Sequence, residues 1–284
     1  MHESTPSLLA PFVSALPLSI PASFYVALEA LKSFTHCVTP QNPSYPRHTA
    51  LATVFTINLQ GSLVGAEIQL STSGIDTKQG LLNVPDQSGF RAFDVFYYLN
   101  SASASRAEKD FLDLKELSKY SLLNKSGTYD PPSYLPDADD AAASEDFRSN
   151  LKAIGIKGQR LQNIISCLVA LLKLGDTLGF FVDEDTVSQI CDDCALLLDI
   201  EPETLSQKCS ATDRETLIAG LYEAVVDYVI SAAYATSLLL RFQTGHSAKQ
   251  LLYVPSSTTP MVSMLKCRKM GFKSIPPAPL YSKA

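Results

Sequence analysis

Ile164-Ile165-Ser166-Cys167-Leu168-Val169-Ala170-Leu171-Leu172-Lys173-Leu174 is the stretch on which the fold turns. It carries apolar residues around nearly its whole circumference, which predicts a helix buried on all faces rather than an amphipathic surface helix. A bilayer span asks for about 18 or more apolar residues in a row, and Lys173 stops this run well short of that. Gly175-Asp176 follows, and then an acidic-to-apolar helix that ends Cys194-Ala195-Leu196-Leu197-Leu198. Upstream, Phe93-Asp94-Val95-Phe96-Tyr97-Tyr98-Leu99 crowds four rings into one helix, where they pack most economically between other helices as core.

The 284 residues are 46% apolar with a net charge of −6, which predicts a globular chain able to bury a sizeable core. No long basic run offers a footprint for nucleic acid or an anionic membrane surface, so neither is expected as a partner. Charges, prolines or amides interrupt each apolar stretch, so no membrane span is predicted. Met1-His2-Glu3-Ser4 lacks the basic start of a signal peptide, and Pro11, Pro17 and Pro21 cut the apolar stretch after it. Six cysteines at this length fit reduced thiols in an intracellular, cytoplasmic core. Cys191-Asp192-Asp193-Cys194 has neither a strand-to-helix turn nor a second ligand pair, and it reads as structural. No metal is expected.

Residues 1–24 read as an irregular, proline-punctuated lead-in. Helical spacing of Phe24, Leu28 and Leu31 predicts a first helix over 24–34. Residues 39–48, with Pro40, Pro43 and Pro46, read as a loop. Alternation over 52–59 and 63–70 about Gln60-Gly61-Ser62 predicts a β-hairpin. From Phe90 to about Leu240 the pattern is helical. Residues 106–117 continue it, 124–140 form a surface loop, and Ser144 caps the next helix, with Phe147, Leu151 and Ile154 on its buried face and Gly155 to Gly158 as its stop. Further helices are predicted over 161–174, 185–198, 201–208 and 213–240. The last has Leu217, Leu221, Val225, Tyr228 and Ala232 as its inner stripe. Asp183-Glu184-Asp185 reads as a helix cap rather than a calcium loop, which would need alternating acids and a glycine. Residues 241–284 read as a poorly ordered tail. The fold class is therefore α+β, mainly α: a helical bundle with a small β-hairpin or sheet remnant, in one domain over 25–240.

In order and spacing these segments resemble the myosin motor head, and more narrowly the divergent heads fused to fungal chitin synthases. Leu31-Lys32-Ser33-Phe34 resembles that family's L-E-S-F. Asn42-Pro43-Ser44-Tyr45-Pro46-Arg47-His48 is similar in register to its switch I, N-P-N-A-S-R-H. Leu63-Val64-Gly65-Ala66 is similar to its L-V-G-A strand, residues 93–99 to F-H-V-F-Y-Q-L, and residues 164–176 to I-F-x-L-L-A-A-I-L-H-L-G-N, with Asp176 for the asparagine. The likeness spans roughly residues 26–235. It implies part of a motor head, its upper fifty-kilodalton region, with Mg-ATP as the family's ligand and Asn42, Ser44 and Arg47 as a vestigial switch I.

The chain departs from that pattern where phosphates would be held. It has no G-x-x-x-x-G-K-S/T loop, whose backbone amides and lysine neutralise phosphate oxygens. Tyr45 and Pro46 replace the small residue and the metal-side serine. No D-x-x-G-F-E switch II follows the long helix, for residues 253–259 hold no acid and Met270-Gly271-Phe272 lacks the preceding aspartate. The expectation is a motor-like module without ATPase competence or any bound cofactor, not itself an enzyme. It would be cytoskeleton-associated and bind a protein, whether actin or a chitin synthase. A fragment of an active motor ATPase, or of a chitin synthase bearing such a head, is the alternative; the chain itself has no multipass region and no Q-x-x-R-W signature. A plain helical scaffold with a coincidental likeness would make the segment after Arg47 a helix. Read without the resemblance, Arg47-His48 is an exposed turn and Asn42 a turn residue. The histidines at 2, 36, 48 and 246 assemble no Ser-His-acid set.

Overall fold

The computed structural model describes residues 9–47, 51–57, 63–70, 74–101, 104–135, 138–179, 182–211 and 213–243. Nine helices and two antiparallel strand pairs occupy them, so the architecture is mainly α with a small β part. Helix α6 (Gln159–Gly175) is the centre, and every residue over 163–175 is buried. The sequence demanded this, since a helix apolar around its circumference is stable only when covered on all sides. Its one charge inside the run, Lys173, is buried, but its Nζ donates to Asp113 Oδ2 at 2.7 Å. Asp113 ends α4 (Arg106–Leu112) in the left-handed conformation, φ 48°. A buried ammonium is thus kept paired by a carboxylate that reaches in from the surface.

Around α6 lie α5 (Asp140–Ala153), the α7 and α8 pair (Glu184–Leu198 and Pro202–Ala211) and the long α9 (Arg214–Gln243). Helix α2 (Ala22–Thr35) packs on α5 and α9, burying Phe24, Leu28, Leu31 and Phe34. Strands β3 (Leu51–Ile57) and β4 (Leu63–Leu70) form the predicted hairpin, so this segment is not helix. β4 lies against α9, and Phe55 meets Phe24 with ring centroids 5.5 Å apart. Gln60-Gly61-Ser62 lies outside the described residues. By length and composition alone, Gln159–Leu178 (α6 with the turn after it) and Arg214–Tyr234 of α9 could each cross a membrane. The α6 window is mostly buried within the protein, as a core helix is, and that of α9 less than half so.

Several expectations need correction. Residues within the lead-in form a short helix, α1 (Leu9–Ser14). The stretch expected as a loop over 39–48 holds β2 (Asn42–Pro46), paired antiparallel with β1 (His36–Thr39) just before it, while His48 lies outside the described residues. Prolines are tolerated there because β2 has only one strand neighbour, so missing amides interrupt no second ladder. The aromatic run is a single turn, α3 (Val95–Tyr98), and α4 stops at Leu112, five residues before the predicted end. Ser144 is no cap: Asp139 caps α5 by accepting from Ala141 N–H at 2.8 Å, while Ser144 is fully buried and its Oγ donates to Tyr98 O at 3.0 Å.

The inner stripe of α9 runs through Ile218, Tyr222, Val225, Val226, Tyr228 and Val229; Val225 and Tyr228 are as predicted, while Ile218 and Tyr222 stand one position over from the predicted Leu217 and Leu221. Ring stacking sets that rotation. Tyr222 lies 4.9 Å from Phe93 and 5.6 Å from Phe96 between centroids. Asp183 does cap α7, accepting from Thr186 N–H at 2.7 Å, and the four rings of 93–98 do lie in or against the core. Helix α9 runs on through Gln243, past the boundary placed at residue 240; residues 244–284 lie outside the described residues.

Candidate functional site

Strand β1 is the spine of the most polar part of the interior. On one side it pairs with β2; on the other, Arg91 N–H donates to Val38 O at 3.0 Å and Asp94 N–H to His36 O at 3.1 Å. Strand β2, carrying Asn42 and Ser44 with Arg47 just after it, therefore lies on one edge of β1, and the aromatic segment with Arg91 and Asp94 lies on the other. Nothing in local sequence announces this, since the two are joined only through the strand between them.

The structure brings Asn42, Ser44 and Arg47 together on or beside β2. Asn42 is buried; its backbone N–H meets Thr39 Oγ1 at 3.1 Å, and its Oδ1 accepts from Ser44 N–H at 3.0 Å. Ser44 Oγ lies 2.9 Å from His36 Nδ1. Arg47 is 3% exposed, which corrects the exposed-turn reading. Its backbone N–H donates to Thr35 O, continuing the pairing beyond β2. Its Nε donates to Cys37 Sγ at 3.0 Å and its Nη1 to Gln79 Oε1 at 3.2 Å, and its guanidinium stands 5.1 Å from the Tyr45 ring centroid. Nη2 has no hydrogen-bond partner among the described residues. His48 lies outside them.

Beyond β1 is a second cluster that the sequence reading missed. Arg91, 2% exposed, donates from Nη2 to Asp140 Oδ2 at 2.6 Å, and its guanidinium carbon stands over the Tyr97 ring, 3.7 Å from the centroid. Burial works against its charge, but Asp140 and Asp94 more than compensate and raise its pKa. Asp94 is pushed up to about 7, chiefly by desolvation, with Arg91 opposing. His36 is lowered to about 3 by burial and by the charge of Lys32, so it is neutral at physiological pH. Tyr97 is raised to about 12 by burial, and its hydroxyl accepts from Ala92 N–H at 3.0 Å. One signal was available: Arg91 and Asp94 are charges inside an otherwise apolar aromatic run, and such charges are buried only when paired.

The contact between His36 and Ser44 has the elements of a base beside a nucleophile. That chemistry needs a third group to orient the imidazole, and no carboxylate bonds to His36 among the described residues. Nor, among them, does any cluster of three or more His, Cys, Asp or Glu stand ready for a metal ion. Cys191 and Cys194 are fully buried; burial raises the Cys194 thiol, which donates to Ala170 O at 3.5 Å, a structural role as read from the sequence. What the arrangement does well is fix β1, β2 and α5 to one another through buried polar contacts.

No protein-family model matches the chain. Among curated proteins it is 59% identical over 233 residues to chitin synthase A of Colletotrichum graminicola, a match covering 82% of this chain and 13% of that protein. Chitin synthase 5 of Pyricularia oryzae is 54% identical over 233 residues, with the same coverage. Chitin synthase 7 of Gibberella zeae is 54% identical over 247 residues, 86% of this chain and 14% of that protein. The chain thus spans about one-seventh of the length of these relatives or slightly less. Identity at this level across more than four-fifths of the chain leaves one coarse conclusion: the protein is related in sequence to a region of fungal chitin synthases.

Proposed function

We propose that this chain is a non-catalytic, motor-head-like scaffold within a protein of the chitin synthase type, and that it holds no nucleotide and works by docking protein. The observation that carries this is the inward use of Asn42, Ser44 and Arg47. Each makes hydrogen bonds to the chain's own groups, and Arg47 is buried beside Tyr45. These residues do not fit Mg-ATP. Charge on three phosphates needs converging backbone amides, a lysine and metal-side hydroxyls, and the glycine-rich loop that supplies most of them in motor heads is absent from the sequence. Sequence relation to chitin synthases supports the setting, and the motor-head likeness supports the scaffold role. Polymer synthesis belongs to other parts of such a protein.

Calorimetry of the purified chain with Mg-ATP tests the reading, and no binding heat is expected at millimolar nucleotide. Micromolar affinity would overturn it. An epitope tag placed in frame at the chromosomal locus tests the setting: the tag should travel on a polypeptide several times longer than 284 residues.

A further inference from the structure

We infer that Pro131-Pro132-Ser133-Tyr134 is a docking motif for a small domain of the WW type, one that reads a polyproline II segment through an aromatic-lined groove. Three observations converge on it. The first is spacing. A polyproline II helix has three residues per turn and rises about 9 Å per turn, so Pro131 and Tyr134 fall on one face with Pro132 beside them. Two adjacent prolines bias the start of the motif toward that conformation, since Pro132 restricts Pro131 and each ring fixes its own φ, and tyrosine adds an apolar ring with a polar tip for a single deep contact.

The second is accessibility. Tyr134 is 57% exposed, one of four large apolar or aromatic side chains noted for exposure among the described residues, and Ser133 is exposed beside it. Pro131 and Pro132 are half-buried, which leaves one face of each to a partner. Among the described residues no aromatic contact holds the Tyr134 ring. A backbone turn among the described residues, Leu135 N–H to Pro132 O at 3.0 Å, is what must open for the segment to extend through Tyr134.

The third is presentation. The loop is tied at both ends to the same buried segment: Ser126 Oγ donates to Phe90 O at 2.5 Å, Gly89 N–H to Thr128 Oγ1 at 2.8 Å, and Arg91 to Asp140 at 2.6 Å. The motif is held out from a fixed base, so the ordering cost of docking is confined to opening the turn at Pro132. Flanking charge selects among readers of proline. No two of Pro131, Pro132 and Pro136 are three residues apart, and the neighbours are Asp130 and Asp139 rather than a basic residue. The P-x-x-P spacing read by SH3 domains is therefore missing, while acidic flanks suit a groove with a basic rim.

The test is fluorescence anisotropy with the whole chain and a labelled, purified WW domain that reads P-P-x-Y, with an SH3 domain as the comparison. Binding in the tens of micromolar is expected, weakened about tenfold or more by Tyr134→Ala and by Pro132→Ala and unchanged by Ser133→Ala. Tyr134→Ala should leave the far-ultraviolet circular dichroism and the melting temperature unaltered, since the ring lies outside the core. Absence of binding, equal binding by Tyr134→Ala, or binding by the SH3 domain alone would each overturn the inference. It stands apart from nucleotide binding, so the calorimetric result leaves it intact either way.

Discussion

The hydroxyl of Tyr222 donates to the carbonyl of Phe34 across 2.6 Å, joining residues 188 positions apart in the chain. That carbonyl lies in the last turn of α2, where backbone oxygens lack intrahelical partners. The same ring stacks on Phe93, so one side chain closes α9 onto both α2 and the aromatic turn. Tyr222→Phe keeps the stacking and deletes the bond, leaving a buried acceptor unsatisfied. It should destabilise the fold by about 1–3 kcal/mol in urea titration, with an unchanged slope.

Gly80 abuts the flat end of the Phe93 ring, and a methyl group there would overlap it. Phe93 cannot retreat, because Tyr222 lies stacked behind it. Gly80→Ala is expected to cost about 1–3 kcal/mol through overpacking, against about 1 kcal/mol for Gly127→Ser at the positive-φ turn, where a Cβ meets nothing and only the left-handed backbone disfavours it. Thermal melts of the two variants separate steric overlap from backbone preference, for Gly127 has φ 64° and loses only the latter.

Asp94 and His36 predict opposite pH dependences in the same small volume. Asp94 rises from 3.8 to about 7 on folding, so the folded chain holds a proton that the unfolded chain has released. Its contribution falls as pH climbs from about 4 to about 7. His36 drops from 6.5 to about 3, so the unfolded chain binds the proton first, and stability falls as pH drops from about 6.5 to about 3. Between pH 4 and 6 the two partly cancel. Asp94→Asn should raise stability at pH 8 relative to pH 5, and His36→Asn should flatten the acid limb; chemical denaturation across pH reads both.

Arg91 serves as charge, donor and ring contact together. Arg91→Lys keeps only the charge, because an ammonium cannot spread over the Tyr97 ring or reproduce the planar donor. Arg91→Met leaves Asp140 without its partner and Asp94 without its main opposing charge. We expect losses of about 1–2 and about 2–4 kcal/mol in that order, measured by denaturant midpoint.

The central helix and the β3–β4 hairpin were legible because each follows one simple period. Full-circumference apolarity marks α6, and alternation marks the strands. Strand β2 was not legible: Pro43 and Pro46 argue against a strand in general, and only a position with one strand neighbour admits them. Ser144 was misread for a related reason, since a serine with acids after it looks like a helix start until Tyr98 O is known to lie within its reach. Asn42, Ser44 and Arg47 were found by likeness, but their inward hydrogen bonds were not foreseeable. Those bonds depend on His36, Cys37 and Gln79, which no local pattern connects to them.

The five described cysteines are unbridged and all lie in the interior. A thiol-reactive reagent in excess can label them only during excursions that open the molecule. Labelling over time, resolved by residue, would therefore read out which parts breathe. Cys209 on α8 and Cys167 on α6 are the paired stopwatches, one at the periphery and one at the centre.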